Sequence, residues 1–434
     1  MLHLSMRKNC SDNRDHLNGY PSVDPELRVC ADCLGDEDLK VYVRGHADAK
    51  ECSFCGATSE EEIAAPLTVL VDHMQVCLGD HYDDPDNAGM VYESAEGGYQ
   101  GEVWDTHEFV QWHLGLDLPN DKDGKLLGAI CDGLGDHLWC SAYLYALSPG
   151  EALAYSWRTF CTLVKHGSRY FFTQNAHDPE ERELLSPSEL LNVIVHYACS
   201  NGLVQTIPRG QKYYRARFQA RDARLVAPHE LGPPPREKAA QNRMSPAGIV
   251  MMYVSEDELT ALHETAATPG TYAIGKFRTL RDIRILDLAD LPPVPGLFNE
   301  VPDTLEYNPR KTLIFLHDVA NEIARPIARD DRVHIEYVPT QVVTEYVRST
   351  KIGGERVDGI RYRSSRRGGG ISLVLFADAL NVVGAWTEDY AKPKSDEWLE
   401  LIVRTERTIS KATLQSIDQT IAETETDERV DLFG

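Results

Sequence analysis

The spacing of apolar residues divides the chain near residue 207. Before that point, four stretches place apolar residues three and four positions apart, with proline or glycine between the stretches, as amphipathic helices do. The stretches are 104–116, 124–146, 150–166 and 187–201. Ser186 and Ser188 are both candidate N-caps of the last stretch. This pattern predicts a mostly helical domain over residues 63–203.

After residue 207, short runs of β-branched and aromatic residues alternate with turns, a pattern typical of strands. The runs are KYYRARFQA, GIVMMYVS, TYAIGKFR, IRILDLAD, IEYVPTQVV, GIRYRSS and ISLVLFADAL. Helical patterns intervene at 256–266 and 311–324. The combination predicts an α+β domain with a mixed or mainly antiparallel sheet.

Three further segments complete the prediction for this half. Residues 232–248 form a long loop with several prolines and glycines, and such loops are often functional. Ser255 and Glu258 have the spacing of a capping box, so we expect a helix to begin there, with Leu259 and Leu262 facing the core. The stretch from about 396 to 422 is predicted to be a helix, followed by an acidic tail.

Composition and charge limit the class of protein. A chain of 434 residues suits two or three domains, and 42% hydrophobic and 26% charged residues are ordinary for a globular protein. The sequence has no apolar run of about 18 residues and no secretory signal core, so we expect a cytoplasmic protein without a membrane span. The net charge of −24 argues against a nucleic-acid partner, because phosphate backbones are bound through Lys and Arg.

Four of the ten cysteines form two close pairs, Cys30 with Cys33 and Cys52 with Cys55, separated by 18 residues. In a reducing compartment, two such pairs can place four thiolates around Zn²⁺ at about 2.3 Å. Four cysteine ligands leave no open coordination position, so the predicted role of the zinc is structural. Four unrelated buried thiols are the alternative, and Cys10 and His46 are substitute ligands.

Two arginines on one strand are the first candidate substrate contacts. On a strand from Tyr213 to Phe218, Arg215 and Arg217 point to one face, and Tyr214 and Ala216 point to the other. Two arginines on one face can clamp a pyrophosphate. An edge strand with two solvated cations is the alternative interpretation.

The arginine segment and several later ones resemble the RES domain, a family named for its Arg, Glu and Ser. The first matching pieces are Tyr214-Arg215, Arg243 with the SPAG run 245–248, Tyr253, and the ALHE run that ends at Glu264. The later ones are YVPTQVVTEY at 337–346, GIRYRSS at 359–365, GGG at 368–370 and LVLF at 373–376. The resemblance covers about 165 residues in the family's order.

Two details depart from the family pattern. The GRWN-type loop of the family reads Asn242-Arg243-Met244 here, without the glycine and the aromatic residue. Ser364 and Ser365 compete for the position of the family's serine. The first departure concerns the contacts to nicotinamide or ribose, and the second leaves open which serine contacts the substrate.

The resemblance implies a fold related to ADP-ribosyltransferases and an activity that consumes NAD as substrate. Glu264 would stabilise the positive charge that develops on the ribose as nicotinamide leaves. Arg215 and Arg243 would hold the diphosphate and adenylate side, and Tyr253 would flank the nicotinamide ring. Ser364 or Ser365 would hydrogen-bond the nicotinamide amide or the ribose, and Arg217 and Ser245 complete the substrate-binding positions. Water or inorganic phosphate would be the acceptor.

The first half of the chain resembles the HEPN-like domain that is fused to RES domains. Many HEPN domains are ribonucleases with an Arg-x4–6-His motif, whereas the nearest candidate here, Arg169 to His177, has seven intervening residues. We interpret this half as a sensor or control module.

Together these observations predict an α+β multidomain protein with five parts. They are a polar segment 1–28, a four-cysteine zinc module 29–60, a mostly helical HEPN-like domain 61–205, a mixed-sheet ADP-ribosyltransferase-like RES domain 206–392, and a C-terminal helix with an acidic tail 393–434.

Three functions stay open at this point. The first is an NAD glycohydrolase or phosphorylase that acts as an intracellular toxin or defence effector. The second is a protein ADP-ribosyltransferase, which would use the same residues. The third is a zinc-dependent interaction or RNA-directed HEPN module with an inactive RES domain. An antitoxin or inhibitor protein and a second copy of the chain are further candidate partners.

Overall fold

The structure is a computed structural model that describes residues 23–172, 184–299, 301, 309–325, 333–384 and 396–417. The chain divides into two compact units. The N-terminal unit comprises Met1–Glu151 with Val294–Thr312, and the C-terminal unit comprises Ala152–Pro293 with Leu313–Gly434. The second unit therefore begins inside a stretch that the sequence assigned to the helical domain, and the five-part division stays a prediction.

The N-terminal unit combines helices with several short strands. Its strands are β1 (Arg28–Cys30), β2 (Ala64–Pro66), β3 (Tyr82–Asp83), β4 (Tyr92–Glu93), β5 (Gly98–Tyr99), β6 (Trp104–Asp105) and β7 (Leu138–Ser141). Its helices are α1 (Glu37–Gly45), α2 (Leu67–Leu78), α3 (Thr106–Glu108) and α4 (Lys125–Leu134), and a π-helical turn covers Phe109–His113. The Phe109 and Trp139 rings stack in its core at 4.6 Å.

The predicted helix over 124–146 is correct only in its first half. Helix α4 ends at Leu134, and Gly135 follows with a φ of 91°, a conformation that favours glycine. The chain then forms β7, which pairs with β3 on one side and β6 on the other. The apolar residues of 138–141 are therefore buried by sheet pairing, and a helical spacing was fitted to them wrongly.

The C-terminal unit is built around one sheet. Its helices are α5 (Pro149–Thr162, which begins in the N-terminal unit), α6 (Pro187–Ser200), α7 (Pro228–Leu231), α8 (Glu258–Thr265), α9 (Pro309–Ala324, which also spans the boundary), α10 (Val333–Glu336) and α11 (Val338–Ser349). Its strands are β8 (Val204–Ile207), β9 (Lys212–Gln219), β10 (Met252–Ser255), β11 (Gly270–Thr279), β12 (Ile283–Asp287), β13 (Gly359–Arg363), β14 (Ile371–Leu375), β15 (Val382–Gly384) and β16 (Leu399–Ile409).

The sheet is mixed, as the sequence predicted. In the described part of the chain its nine strands follow the order β15-β16-β11-β9-β10-β14-β13-β12-β8. The β12–β13 and β15–β16 pairs are parallel and the others are antiparallel. An α+β fold with helices beside a large mixed sheet is thereby confirmed. Helix α6 is also confirmed, and Ser186, not Ser188, is its N-cap, with a capping box to Glu189.

Two predicted elements of this unit are wrong. The run IEYVPTQVV was predicted as a strand, but it belongs to α10 and α11, where Pro339 fits the first turn of a helix and Val343 and Val347 bury one helical face. Of the helix predicted over 396–422, the described part is instead β16 from Leu399 to Ile409, followed by helical residues at 411–417, and residues 418–422 lie outside the described chain. Strand β16 is rich in β-branched residues and pairs with β11 along its whole length.

The start of α8 also differs from the prediction. Its N-cap is Asp257, whose side chain accepts a hydrogen bond from the Thr260 amide at 2.9 Å. Ser255 is the last residue of β10, and it forms no capping box because its hydroxyl is bonded within the sheet. Leu262 is buried as expected, whereas Leu259 is 49% exposed.

The sheet opens between β9 and β10. Strand β9 is in register with β11 along its whole length, from Lys212 to Gln219. Its register with β10 is confined to the pair Tyr214 and Ser255. The two strands therefore separate on the side of Arg215, and the cavity described below lies at this opening.

No helix in the described ranges combines the length and the apolar character that crossing a membrane would require.

Candidate active site

A cavity of about 1040 Å³ lies at the opening between β9 and β10. This volume is at the upper end of the range for small-molecule and cofactor sites. Predicted site residues that line it are Arg215, Arg217, Arg243, Tyr253, Glu264 and Ser365. The structure thus places together six side chains whose positions span about 150 residues of the sequence. Ser245 and Ser364 do not line the cavity but contact residues that do.

Among the described residues, Arg215 and Arg217 have hydrogen-bond partners only on the protein backbone. Nη1 of Arg215 donates to the Tyr253 carbonyl at 2.6 Å, and Nη2 of Arg217 donates to the Gly232 carbonyl at 2.7 Å. The Nε atoms of both are buried without a hydrogen-bond partner in the described chain, and no ion pair is found there for either. Burial, and then the nearby charge of Arg217, lower the pKa of Arg215 to about 9. Two such cations favour an anionic ligand.

Arg243 has a different environment from the strand arginines. Its Nη1 donates to the Ile323 carbonyl at 2.7 Å and also to the Arg325 carbonyl, at the C-terminal end of α9. Its Nη2 donates to Ser365 Oγ at 3.1 Å, and the guanidinium lies 5.7 Å from the centroid of the Tyr337 ring. A cation at a helix C-terminus stabilises the helix dipole. Arg243 therefore also fixes the wall of the cavity.

The loop that carries Arg243 is attached to α11 by two buried side chains. Thr340 Oγ1 donates to the Arg243 carbonyl at 2.6 Å, and Gln341 Nε2 donates to the Asn242 carbonyl at 2.8 Å. Both side chains are nearly inaccessible to solvent. The sequence alone does not indicate a role for this Thr-Gln pair. Its contacts indicate that it positions the loop.

Tyr253 is anchored by the same loop. Its hydroxyl lies 2.9 Å from Ser245 Oγ and accepts a hydrogen bond from the Met244 amide at 3.2 Å. Burial raises the pKa of Tyr253 to about 12, so the phenol keeps its proton. Ser245 is 1% exposed and therefore supports Tyr253 from behind the cavity wall.

Glu264 lies in the last turn of α8, within the stretch 256–266 for which the sequence predicted a helix, and it lines the cavity. Ser364 Oγ donates to Glu264 Oε1 at 2.6 Å. The neighbouring Ser365 lines the cavity and accepts from Arg243. The two adjacent serines thus have different contacts, one with the carboxylate and one with an arginine.

Two family models match the sequence. HEPN/RES N-terminal domain 1 matches residues 45–178, and the RES domain matches residues 211–395. The chain carries a RES domain. No curated protein and no solved structure matches the chain. The RES family is associated with enzymes that use NAD.

The cavity of the RES domain is strongly cationic for a protein of net charge −24. The charged residues that line it, among those that the structure describes, are Arg215, Arg217, Lys238, Arg243, Arg366 and Glu264. Five cations therefore surround one carboxylate. A positive field attracts anionic ligands. Glu264 is then the negatively charged side chain that a bound ligand would face.

Sequence reasoning missed a polar row inside the RES domain. Ser255, Ser372 and Tyr362 are buried, line the cavity and lie on three neighbouring strands. Each of these residues lies in a strand segment that is otherwise apolar or basic. A single polar residue at a buried strand position is therefore the sequence feature that could have indicated a functional role. Strand register, which the sequence alone did not provide, is what brings them together.

The four predicted metal ligands form one cluster in the N-terminal unit. Cys30 Sγ lies 3.7 Å from Cys33 Sγ and 3.6 Å from Cys55 Sγ, and Cys33 Sγ lies 3.7 Å from Cys52 Sγ. Tetrahedral bonds of 2.3 Å would separate the sulfurs by about 3.8 Å, and a disulfide would bring them to about 2 Å. The quartet can therefore hold a metal ion.

The described residues cover only part of the substitute metal ligands and of the ribonuclease motif. His46 Nδ1 lies 2.9 Å from the Tyr42 carbonyl and is not part of the cysteine cluster. Cys10 and His177 lie outside the described residues, so the Arg169 to His177 spacing has no structural counterpart here.

Proposed function

We propose that the RES domain cleaves the bond between nicotinamide and ribose in NAD. The observation that carries the proposal is that one cavity is lined both by the carboxylate of Glu264 and by Arg215 and Arg217, whose Nε atoms have no hydrogen-bond partner among the described residues. Arginines without a carboxylate partner suit a diphosphate, and a carboxylate in the same cavity suits a carbocation-like ribose. NAD carries both groups.

In the proposed reaction these residues have different roles. As the C1′–N bond breaks, its electron pair leaves with neutral nicotinamide, and positive charge develops on the ribose. Glu264, oriented by the hydrogen bond from Ser364, stabilises that charge. Arg215 and Arg217 hold the diphosphate and keep the ribose in register with Glu264. A water oxygen then bonds to C1′ and releases a proton to solvent, or an anionic phosphate oxygen bonds to C1′ without a proton transfer.

Products from NAD labelled in its adenylate phosphate test this proposal with the full-length protein. We expect free nicotinamide together with labelled ADP-ribose. If phosphate is the acceptor, ADP-ribose-1″-phosphate will replace ADP-ribose when inorganic phosphate is added. Label that stays on the protein would instead favour protein ADP-ribosylation, and intact NAD would contradict both reactions.

Arg215→Met is expected to weaken NAD binding and to stabilise the free protein. The substitution removes the cation that would pair with the diphosphate in a site shielded from water. The Kd for NAD should therefore rise at least about 30-fold. Methionine removes a buried cation that has no ion-pair partner among the described residues, so the unfolding temperature should rise by about 2–4 °C. Calorimetric titration and thermal denaturation measure the two effects. The exposed Arg209→Met variant is the control, and unchanged NAD affinity in Arg215→Met would count against the diphosphate role.

We also propose that the cysteine quartet holds zinc in a structural role. Its four sulfurs have the spacing of a tetrahedral thiolate site. Burial raises the pKa of the Cys30 thiol to about 11, so ionised sulfurs at this site need a positive charge. A site filled by four cysteines has no position for substrate.

An enzyme that removes NAD would arrest the cell in which it acts. We therefore propose that the protein serves as a toxin or defence effector in the cytoplasm, with its activity controlled by an inhibitor protein, by its N-terminal half, or by self-association. Growth arrest on induced expression, relieved by Glu264→Gln, would be the cellular counterpart of the activity. Growth arrest that persists in that variant would argue for a different toxic function.

A further inference from the structure

Four residues form a row across the cavity floor, one on each of four neighbouring strands. Tyr214 of β9 is in register with Ser255 of β10, Ser255 with Ser372 of β14, and Ser372 with Tyr362 of β13. Residues directly opposite on neighbouring strands share one face of the sheet, and all four line the cavity. The row places two small hydroxyl side chains between two aromatic rings, at the point where β9 and β10 begin to separate.

The hydroxyls in the middle of the row are linked to one another. Ser255 Oγ lies 3.0 Å from Ser372 Oγ, and Ser372 is also hydrogen-bonded to the Tyr362 phenol. Three hydroxyls bring three donors and two lone pairs each. The two bonds among them leave one donor and several lone pairs for a ligand. Both serines are 2% exposed, so bulk water has little access to these groups.

The row lies close to the proposed catalytic carboxylate. The negative charge of Glu264 contributes, after burial, to raising the pKa of Tyr362, whose phenol therefore keeps its proton. Ala261, one turn before Glu264 on α8, lines the same cavity with a side chain of a single methyl group. At the other end of the row, Lys276 Nζ lies 5.3 Å from the centroid of the Tyr214 ring. The row thus has fixed aromatic ends, a small polar centre and a carboxylate beside it.

We propose that Ser255 and Ser372 bind the carboxamide of nicotinamide, with the pyridinium ring lying between Tyr214 and Tyr362. A carboxamide offers two N–H donors and one carbonyl acceptor, which match the lone pairs and the donor that the hydroxyls have left. Serines leave room for a flat ring where larger side chains would fill the floor, and aromatic neighbours suit such a ring. Arg215 and Arg217, which line the same cavity, would hold the diphosphate of the same ligand.

This inference rests on the proposed function, because it takes NAD as the ligand, and it names the residues that recognise the leaving group. It also reassigns a contact. The sequence predicted that Ser364 or Ser365 would hydrogen-bond the amide or the ribose, but Ser364 donates to Glu264 and Ser365 accepts from Arg243. Ser255 and Ser372 are then the specificity-determining serines of the cavity.

The test compares NAD with its 3-acetylpyridine analogue, which keeps the carbonyl and replaces the amide nitrogen by a methyl group. Kd values are measured by calorimetry on the full-length Glu264→Gln protein, with Ser255→Ala or Ser372→Ala added. We expect the analogue to bind about tenfold more weakly than NAD before the serine changes, and nearly as well as NAD after them. The ratio comes from a single preparation, so a change in the folded fraction does not affect it. The exposed Ser200→Ala change is the control and should keep the tenfold ratio.

Two outcomes would overturn the inference. The first concerns the Kd of the analogue divided by the Kd of NAD. The inference fails if this ratio is close to one before the serine changes, or if neither serine substitution alters it. The other is competition by free adenosine that the serine substitutions abolish, since the row would then hold the adenine. The release of nicotinamide from NAD by the wild-type protein is measured in parallel. Nicotinamide release without a Kd preference for the carboxamide would reject the role of the serine pair and keep the proposed function. A Kd preference without nicotinamide release would keep the role of the serine pair and reject the proposed function.

Discussion

Replacing Glu264 by glutamine is expected to lower the rate of nicotinamide release from NAD by about 100- to 1000-fold, the range found when one group that stabilises transition-state charge is removed. Glutamine has nearly the same size, and its amide oxygen can still accept the hydrogen bond from Ser364. The substitution therefore removes the negative charge and little else. Since that charge acts on the ribose as the bond breaks, kcat should fall while KM changes little.

A matched control lies on the same helix. Glu258 belongs to the first turn of α8 and forms an ion pair with Arg407 at 2.7 Å, and it does not line the cavity. Glu258→Gln should keep the kcat of the wild type within about twofold, because surface ion pairs contribute little. Both rates are read as nicotinamide released per minute. Equal rates in the two variants would remove Glu264 from the proposed mechanism.

The second large effect is expected from the cysteine quartet. Cys33→Ser should lower the metal content of the purified protein from about one zinc ion per chain to well below one. It should also lower the first unfolding temperature by more than about 10 °C. Metal binding at structural zinc sites contributes about 10–16 kcal/mol in small domains, so the loss of one ligand is costly. Cys33 is fully buried in the core of the N-terminal unit, where the serine hydroxyl would be a poor zinc ligand.

Elemental analysis and differential scanning calorimetry measure these two effects. Cys199→Ser is the control, because Cys199 is exposed and lies outside the cysteine cluster. A strong chelator should reproduce the effect of Cys33→Ser on the wild-type protein. Wild-type protein that contains no bound metal, or that unfolds at the same temperature with and without Cys33, would rule out the structural zinc site.

The segments that carry the candidate site could be predicted because their chemistry is local. Glu264 belongs to a short helix whose apolar spacing and acidic start are visible in the sequence, and Arg215 and Arg217 alternate along one strand. The cysteine quartet was predictable for the same reason, since its spacing repeats within a short stretch. In each case the residues that define the feature are close in sequence.

The features that were missed depend on contacts between distant segments. Strand β16 is stabilised by pairing with β11, at least 120 residues away, so its apolar spacing resembles that of a helix when the segment is considered alone. Thr340 and Gln341 act on a loop almost 100 residues earlier. The row from Tyr214 to Tyr362 requires the register of four strands. A periodicity argument does not contain this information.

The departure of the Arg243 loop from the family pattern also has a physical consequence. In place of a glycine and an aromatic residue, this loop has Asn242 and Met244. The Asn242 carbonyl accepts from Gln341, and the Met244 side chain is fully buried. The loop is therefore held by a polar contact and a core methionine. The aromatic surfaces of the cavity come from residues on other segments, namely Tyr214, Phe218, Tyr253, Tyr337 and Tyr362.

The most direct test of the central claim is proton NMR of NAD incubated with the purified full-length protein. We predict that the nicotinamide-ring signals of NAD decrease while those of free nicotinamide increase in equal amount, and that the Glu264→Gln protein leaves the NAD spectrum unchanged on the same timescale. NAD that stays intact with folded wild-type protein, or nicotinamide release that is as fast with Glu264→Gln, would contradict the account.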